Sequence, residues 1–407
     1  MRKHKSDLVI LFATLGLMVL GLIVIYAIGP MRANVLNNAY GANYDANYFF
    51  IGQLRSVAIS LAAFFLSFKV IPYKYVKKFA KPIIIVALSL SALLWVLSLA
   101  GSSLAKCELG ECRWFNLGFM SFQPAELLKL ALVIYLADFL ARKKEEGTIG
   151  QFREFWLPLI IVAGASLFFV VIAQGDLGTG VAIIAIIFGT LLVAGVPAKQ
   201  YLIMLAVVFT VAIGAVATSS HRMERIYAWL DTIQGAEVTD STYHIENAML
   251  AIGTGGFFGV GIGNSVQATG YLPESINDSV FAIMGETFGF VGLFAIIAVF
   301  GALLIRMLKV ADHTASPDQR ILVVGVFSWT LAQVAVNIMA MTGLVPVTGI
   351  TLPLLSYGGT SMLFIAFALG LVLQISCYTS REGINHEDIS SRGRLGGSHY
   401  SSRRRRS

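Results

Sequence analysis

Long apolar runs, separated by short polar, charged or glycine-rich stretches, repeat along the chain from Leu8 to Ile375. They repeatedly reach about 18 to 22 residues, the length a helix needs to cross roughly 30 Å of hydrocarbon. The pattern predicts ten membrane spans: Leu8 to Gly29, Phe49 to Phe68, Pro82 to Ala100, Phe122 to Ala141, Phe155 to Ala173, Gly180 to Val196, Gln200 to Thr218, Ser279 to Ile305, Ile321 to Met341 and Ser361 to Ile375. The weak ten-residue alternation of an outer-membrane barrel is not what these runs show, so the expected class is an all-α polytopic membrane protein. The first run follows Arg2, Lys3 and Lys5, as a secretory signal would, but it is too long and no small-x-small cleavage site follows; it is expected to be a span.

Two segments exceed simple connectors. The stretch 219–278 is polar and then glycine-rich, which is long for a linker and predicts a functional loop between spans 7 and 8. The stretch 379–407 is rich in Ser, Gly and Arg and is expected to be a disordered basic tail that meets anionic membrane lipid, a cytoplasmic partner or only solvent. The domain expectation is therefore one transmembrane domain over 1–378, with the loop 219–278 inside it, followed by the tail.

Charge sets the orientation. Basic loops stay on the cytoplasmic side. With the N-terminus inside, Arg32, Lys106, Arg113, Arg222 and Arg225 lie outside and Arg55 and Lys129 lie within spans, which leaves 23 of the 30 basic residues at the inner face. Both termini are then cytoplasmic, and the net charge of +7 is topological and calls for no nucleic acid. Composition agrees with the pattern, at 57% hydrophobic and 13% charged. Cys107 and Cys112 share an outer loop, where pairing depends on an oxidising compartment, and no metal-binding cysteine cluster is visible.

The chemistry must come from outer loops and from charges inside spans. Glu126 and Lys129 are three apart in the fourth span, so they share a helix face, either as a self-neutralising pair or as a wall that meets a charged substrate. Asp138 is close enough to the inner end to be simply solvated. In "QGDLGTG", Asp176 is either an Asx-type turn former or a polar ridge facing the same cavity as Glu126. "SSHRMERIYAWLD" reads as an interfacial amphipathic helix whose Arg222 and Arg225 hold headgroups or a substrate pyrophosphate. "GTGGFFGVGIG" fails as a nucleotide loop, for it lacks both the G-x-G-x-x-G spacing and the P-loop Lys, and is expected to be flexible or close-packed backbone. "TGLVPVTGITLPLLSYGGTSM" carries two prolines and four glycines at an outer boundary and predicts a re-entrant or broken helix, in which Ser356, Tyr357 and Thr360 either donate to a ligand or pack.

Taken in order, "RWFNLG…FQPAELLK", "QGDLGTG", "AIGTGGFFGVGIGNS", "YLPESINDSVFAIMGE" and "GLVPVTGITLPLLSYGGTS" resemble the SEDS proteins (shape, elongation, division and sporulation), whose members include FtsW, RodA and SpoVE. The resemblance covers nearly the whole chain to about Cys377 and is nearest the FtsW division branch, through "GITLPLLSYGGTS" and the Asn of "RWFNLG". It implies a peptidoglycan glycosyltransferase that polymerises lipid II on the outer face of the cytoplasmic membrane, at the septum, with a class B penicillin-binding protein as transpeptidase partner among other divisome proteins. It also implies that Asp278 is the essential acid of a motif usually written L-P-E-x-x-x-D-F-I-F. This chain has Ser279 for the usual Phe, Val280 for Ile and Asn277 for a common Thr; Thr287 replaces the second acid of an E-E pair, and His244 and Asn247 stand where Gln is frequent.

The reaction fits those residues. Lipid II already carries its sugar on a good leaving group, so the protein need supply only a base for the attacking sugar hydroxyl and positive charge for the departing pyrophosphate. Asp278 is the expected base, at an ordinary pKa of about 3.9 unless burial or a nearby carboxylate raises it. Gln123, Glu126, Lys129, Arg113, Asp176, Arg222, Arg225, Ser356 and Tyr357 are the expected substrate contacts, with or without a divalent cation such as Mg or Mn. The product linkage implies inversion at the donor carbon without a covalent intermediate. Three other readings compete. A lipid II flippase would gather binding residues at the midplane of repeated halves, which the sequence does not display; a non-catalytic division scaffold would leave Asp278 dispensable; and a RodA-like enzyme would serve elongation. Glu286, about two turns further along the same segment, either tunes Asp278 or holds a helix partner.

Overall fold

The computed structural model describes residues 5–108, 111–118, 121–217, 219–234, 239 and 242–378, so the expected tail lies outside the described residues. Helix α1 spans Leu8–Tyr40, and the Asp7 carboxylate caps it by accepting the N–H groups of Val9 and Ile10 at 3.0 and 3.3 Å. Its 33 residues reach about 50 Å. The helix therefore does not stop at Gly29, where the apolar run ends, and its last turns stand clear of a bilayer.

Helices α2 (Tyr48–Phe65), α3 (Tyr73–Lys78) and α4 (Ala80–Leu99) follow, then a small antiparallel sheet of β1 (Ala105–Glu108), β2 (Glu111–Asn116) and β3 (Ser121–Phe122). Cys107 and Cys112 face each other across β1 and β2 and form a disulfide. The remaining helices are α5 (Pro124–Glu145), α6 (Leu157–Leu167), α7 (Leu177–Ala194), α8 (Ala198–Ala217), α9 (Ser220–Gln234), α10 (Tyr243–Thr254), α11 (Val280–Asp312), α12 (Pro317–Met341) and α13 (Gly359–Ser376).

Among the described residues nine helices are long and apolar enough to cross a membrane, counting α6 with the π-helical turns that extend it over Phe152–Ala173, and α5 is not one of them because Glu126, Lys129 and Asp138 interrupt it. Yet α5 has 22 residues, about 33 Å, and all but two of those from Pro124 to Ala141 are buried. The Asp7 N–H donates to Ser376 Oγ at 3.1 Å, so α1 begins on the face where α13 ends. An even number of crossings must lie between those ends, and α5 supplies the tenth. The same face gathers the ion pairs Arg306 to Asp7 (2.6 Å) and Lys77 to Asp318 (3.0 Å).

Helices α5, α7, α12 and α13 form the protein's interior, with α12 packed on both α7 and α5 and α13 on α2. At the other extreme, no residue of α8 is buried; it is a peripheral helix whose apolar side chains face the hydrocarbon.

Two irregular segments sit on the face opposite Asp7. Residues 343–358 join α12 to α13 through turns and extended backbone with no helix, where the proline and glycine pattern predicts a re-entrant or broken one, and their backbone is satisfied by protein: Asn337 Nδ2 donates to the Ile350 carbonyl at 2.7 Å and the Leu352 N–H to Ser356 Oγ at 2.8 Å. The second is a break inside α11, which the sequence reads as one continuous helix. Gly289 has φ 68° and ψ −166°, a conformation open essentially to glycine alone. The carbonyls of Glu286 and Thr287 freed by the break accept from the N–H groups of Val260 and Gly261, and the freed N–H groups of Phe290 and Val291 donate to Gly256 and Phe257. The glycine-rich stretch is thus close-packed backbone that patches a broken helix.

Candidate functional site

The loop before α11 presents Asp278. It begins with a strained residue: Glu274 has φ 48°, uncommon for a side chain with a Cβ, and is held by Arg32 of the α1 extension at 3.1 Å and by the Asn277 amide. Its backbone carbonyl accepts from the N–H groups of Asn277 and Ser279. The loop is then clamped from two sides, by the Tyr357 N–H donating to the Ile276 carbonyl at 2.8 Å and by Asn337 Nδ2 donating to the Asp278 carbonyl at 2.7 Å. Asp278 is 7% exposed. Burial pushes its carboxyl above the ordinary carboxylate range, the neighbouring His244 opposes that rise, and the Glu274 charge adds to it. Ser279 Oγ lies 3.4 Å from Asp278 Oδ1, 2.9 Å from the Pro273 carbonyl and 2.7 Å from His244 Nε2.

Glu286, left open by the sequence, holds a neighbouring loop. Its carboxylate accepts from Ser265 Oγ at 2.5 Å and from the N–H groups of Val266 (2.9 Å) and Gln267 (3.2 Å). It anchors the turn that follows the glycine-rich segment.

The other charged feature is Glu126 with Lys129. They pair at 2.7 Å with Lys129 fully buried, and its ammonium lies 5.0 Å from the centre of the Trp329 ring. On α12, Trp329, Gln333 and Asn337 are spaced by four and share one face, so the Lys129 contact and the Asp278 contact lie about 12 Å apart along a single stripe. Buried polar atoms without a protein partner collect there: Trp329 Nε1, Gln333 Oε1 and Asn337 Oδ1 on α12 and Glu126 Oε2 opposite. Each such atom costs about 1–3 kcal/mol unless it meets a polar ligand.

The remaining expected contacts fall into three places. Asp176 caps α7, accepting from Thr179 N (2.9 Å) and Thr179 Oγ1 (2.8 Å), and also accepts from Gln123 Nε2 at 3.1 Å. Both the turn-former role and a link to the start of α5 are present. Arg113 joins this cluster, pairing with Glu111 and donating to the carbonyls of Gln174 (3.3 Å) and Gly175 (3.2 Å). Arg222 and Arg225 sit apart on the amphipathic helix α9, donating to the carbonyls of Ala215 and Val171 and of Val347 respectively. Ser356 and Tyr357 adjoin the Asp278 loop through backbone, with Ser356 Oγ spent on Leu352 N–H and the Tyr357 ring edge-on to Phe49. Asp138 pairs with Arg142 at 2.9 Å.

Sequence reasoning passed over Asn337 and Arg32. An asparagine inside an apolar span must find partners, which was a usable signal for Asn337; nothing along the chain pairs Arg32 with a residue 242 positions away. Among the described residues no three His, Cys, Asp or Glu side chains come together to hold a metal ion, so an all-protein cage for Mg or Mn does not fit here.

Comparison with known proteins places the chain in context. A family model described as "Cell cycle protein", spanning FtsW, RodA and SpoVE, matches residues 7–381. Stage V sporulation protein E of Bacillus subtilis is 32% identical over 379 residues, 93% of this chain and 99% of that protein. A probable peptidoglycan glycosyltransferase FtsW of Aliivibrio salmonicida is 31% identical over 377 residues, 92% of this chain and 89% of that one. Among solved structures, a chain from a peptidoglycan synthase complex that coordinates polymerization and crosslinking superposes with a TM-score of 0.70 at 24% identity, covering 93% of this chain and 99% of that one. The rod shape determining protein RodA of Thermus thermophilus gives 0.65 at 25% identity, covering 93% and 98%.

Proposed function

Since the chain belongs to the FtsW/RodA/SpoVE family, we propose that Asp278 is the general base of its peptidoglycan glycosyltransferase activity and that the polar stripe on α12 receives the head of the lipid-linked substrate. The protein is a multi-pass membrane glycosyltransferase that polymerises lipid II into glycan strands. One observation carries the reading of the site: a buried carboxylate stands at one end of a row of unmatched polar atoms whose other end holds a buried cation.

The attacking sugar hydroxyl gives its proton to Asp278 as its oxygen bonds to the anomeric carbon of the donor. The bond from that carbon to the pyrophosphate breaks on the opposite face, which inverts the centre. Burial suits this role because a carboxylate whose pKa is raised toward the working pH is a better base than an ordinary one. Lys129 is the cation best placed along the stripe to answer the developing charge on the pyrophosphate, at the cost of loosening its pair with Glu126. Arg113, Arg222 and Arg225 are engaged with carbonyls and serve the leaving group only by exchanging those bonds. Gln123, Asp176, Ser356 and Tyr357 border the same region and complete the proposed substrate contacts.

In the cell the active site faces outward from the cytoplasmic membrane at the division septum, both termini are cytoplasmic, and a class B penicillin-binding protein crosslinks the product within the divisome. The neighbouring synthase complex, in which polymerization and crosslinking are coordinated, supports that pairing. The deciding experiment supplies labelled lipid II in detergent to the purified protein with its transpeptidase. Wild type is expected to make glycan strands and Asp278→Asn none; strands from Asp278→Asn at the normal rate would remove the base assignment.

A further inference from the structure

We propose that His244 and Ser279 form a proton relay that empties Asp278 after each transfer, a reading that rests on Asp278 being the base. The two residues are 35 positions apart in sequence, and the folding of α10 against α11 brings them together at 2.7 Å. Ser279 is fully buried between His244 and Asp278, whereas His244 is only half-buried. The relay thus runs from an enclosed acid toward solvent. These are also two of the positions at which the motifs depart from the family pattern, and a phenylalanine and a glutamine there supply neither a hydroxyl nor an imidazole nitrogen that can accept a proton.

A serine hydroxyl has one proton to donate and can accept two. Its three neighbours are the Pro273 carbonyl, which only accepts, the Asp278 carboxyl and the His244 ring. While Asp278 is ionised it also only accepts. Once it has taken the sugar proton it becomes a donor to Ser279 Oγ, and the serine proton is then free to pass to His244 Nε2. In that step the Asp278 O–H and the serine O–H break, a new serine O–H and an Nε2–H form, and the imidazolium releases a proton from Nδ1 to water. Asp278 returns to the carboxylate with serine unchanged, and a turn of the half-buried imidazole brings its unprotonated nitrogen back to Ser279 for the next transfer. The 3.4 Å separation of Ser279 from Asp278 is long, and such contacts tighten when substrate is bound.

Glu274 pairs with Arg32, and Glu286 is occupied by Ser265 and the 266–267 amides. Helix α12 carries only Asp318, paired with Lys77, and Arg320, both in its first turn, and on α10 itself Glu246 is the single carboxylate. Helix α9 brings Arg222 and Arg225, spent on carbonyls, with Glu224 and Asp231.

The test follows strand formation by the purified protein with its transpeptidase across pH, at low and high buffer concentration. His244→Gln is expected to lose roughly tenfold in steady-state rate at low buffer, less than the ~100-fold or more due to a group that takes the proton itself. Added imidazole should restore that rate, and the first sugar transfer should stay at wild-type speed. Ser279→Ala should show the same steady-state loss and Ser279→Thr, which keeps the hydroxyl, should not. Full activity of His244→Gln at low buffer, or a loss that imidazole leaves in place while the melting temperature is unchanged, overturns the relay. Inactive Asp278→Asn beside fully active His244→Gln removes the relay alone, whereas active Asp278→Asn removes the base reading with it.

Discussion

Asn337 on α12 donates one amide hydrogen to the Asp278 carbonyl and the other to the Ile350 carbonyl, both at 2.7 Å. One side chain thereby ties the loop before α11 to the irregular segment before α13. Asn337→Leu fills the same space and orphans both carbonyls, each at a cost of about 1–3 kcal/mol. The expected outcome is a lower melting temperature in detergent together with a larger fall in turnover than in substrate affinity, because Asp278 is no longer held. A variant with wild-type turnover would show that the clamp is irrelevant to the reaction.

The break in α11 predicts a sharp contrast between two glycines of one helix. A Cβ at Gly289 would fall 2.7 Å from the Phe257 carbonyl and closer still to the Gly259 nitrogen, at φ 68°. Both obstacles are backbone and cannot swing away. Gly289→Ala should cost more than ~3 kcal/mol by strain and loss of the reciprocal bonds, seen as poor accumulation in the membrane. Gly301→Ala, which meets nothing within 4 Å, should accumulate normally or better.

The span pattern was legible because hydrocarbon thickness sets a length that any apolar run must meet, and even the charged α5 was recognised from its length. The motif singled out Asp278, and the fold buries it on a clamped loop. The break at Gly289 was not legible: a glycine in an apolar run looks the same whether its helix continues or is patched by a turn segment about 30 residues earlier. Glu286 posed a similar limit, since its partners are backbone amides of residues 266 and 267, and amides leave no mark in a sequence. The stripe of Trp329, Gln333 and Asn337 was readable as a spacing of four, but only packing assigns its two ends to Lys129 and Asp278.

Gln333 provides a test of the stripe. Its Oε1 is buried without a protein partner, so Gln333→Met exchanges a desolvated acceptor for an apolar side chain of similar volume. Without a substrate role the change should be neutral or stabilising. If the stripe receives a sugar or pyrophosphate, the same variant should raise KM for lipid II by about tenfold, the loss of one such bond, while melting at or above the wild-type temperature. Unchanged KM would take Gln333 out of the substrate site.

The buried pair on α5 predicts a strong asymmetry between single and double changes. Lys129→Met leaves the Glu126 charge buried and alone, which costs about 3–5 kcal/mol, whereas Lys129→Met with Glu126→Leu removes both charges and should recover most of that stability. Activity should not recover with it if Lys129 meets the pyrophosphate. Polymerisation by a stable double variant at the wild-type rate would return the pair to a purely structural role.

Asp278 should be a site where stability has been traded for chemistry. Its folded-state pKa lies above the unfolded value of about 3.9, because burial disfavours the charge. The folded protein therefore binds this proton more tightly than the unfolded chain. The contribution to stability is fully present below pH ~3.9 and is lost as pH rises through the higher folded value, so at neutral pH the ionised carboxylate is a net cost. Asp278→Asn carries no charge to desolvate and should melt above wild type at pH 7, with the gap closing as the pH is lowered toward ~4. Catalysis has the opposite sign, for the base works only when ionised, and wild-type polymerisation should fall as pH drops through the same raised value. A variant that melts below wild type across the whole range would mean that the carboxylate is held by compensating contacts and that burial is not what sets its proton affinity.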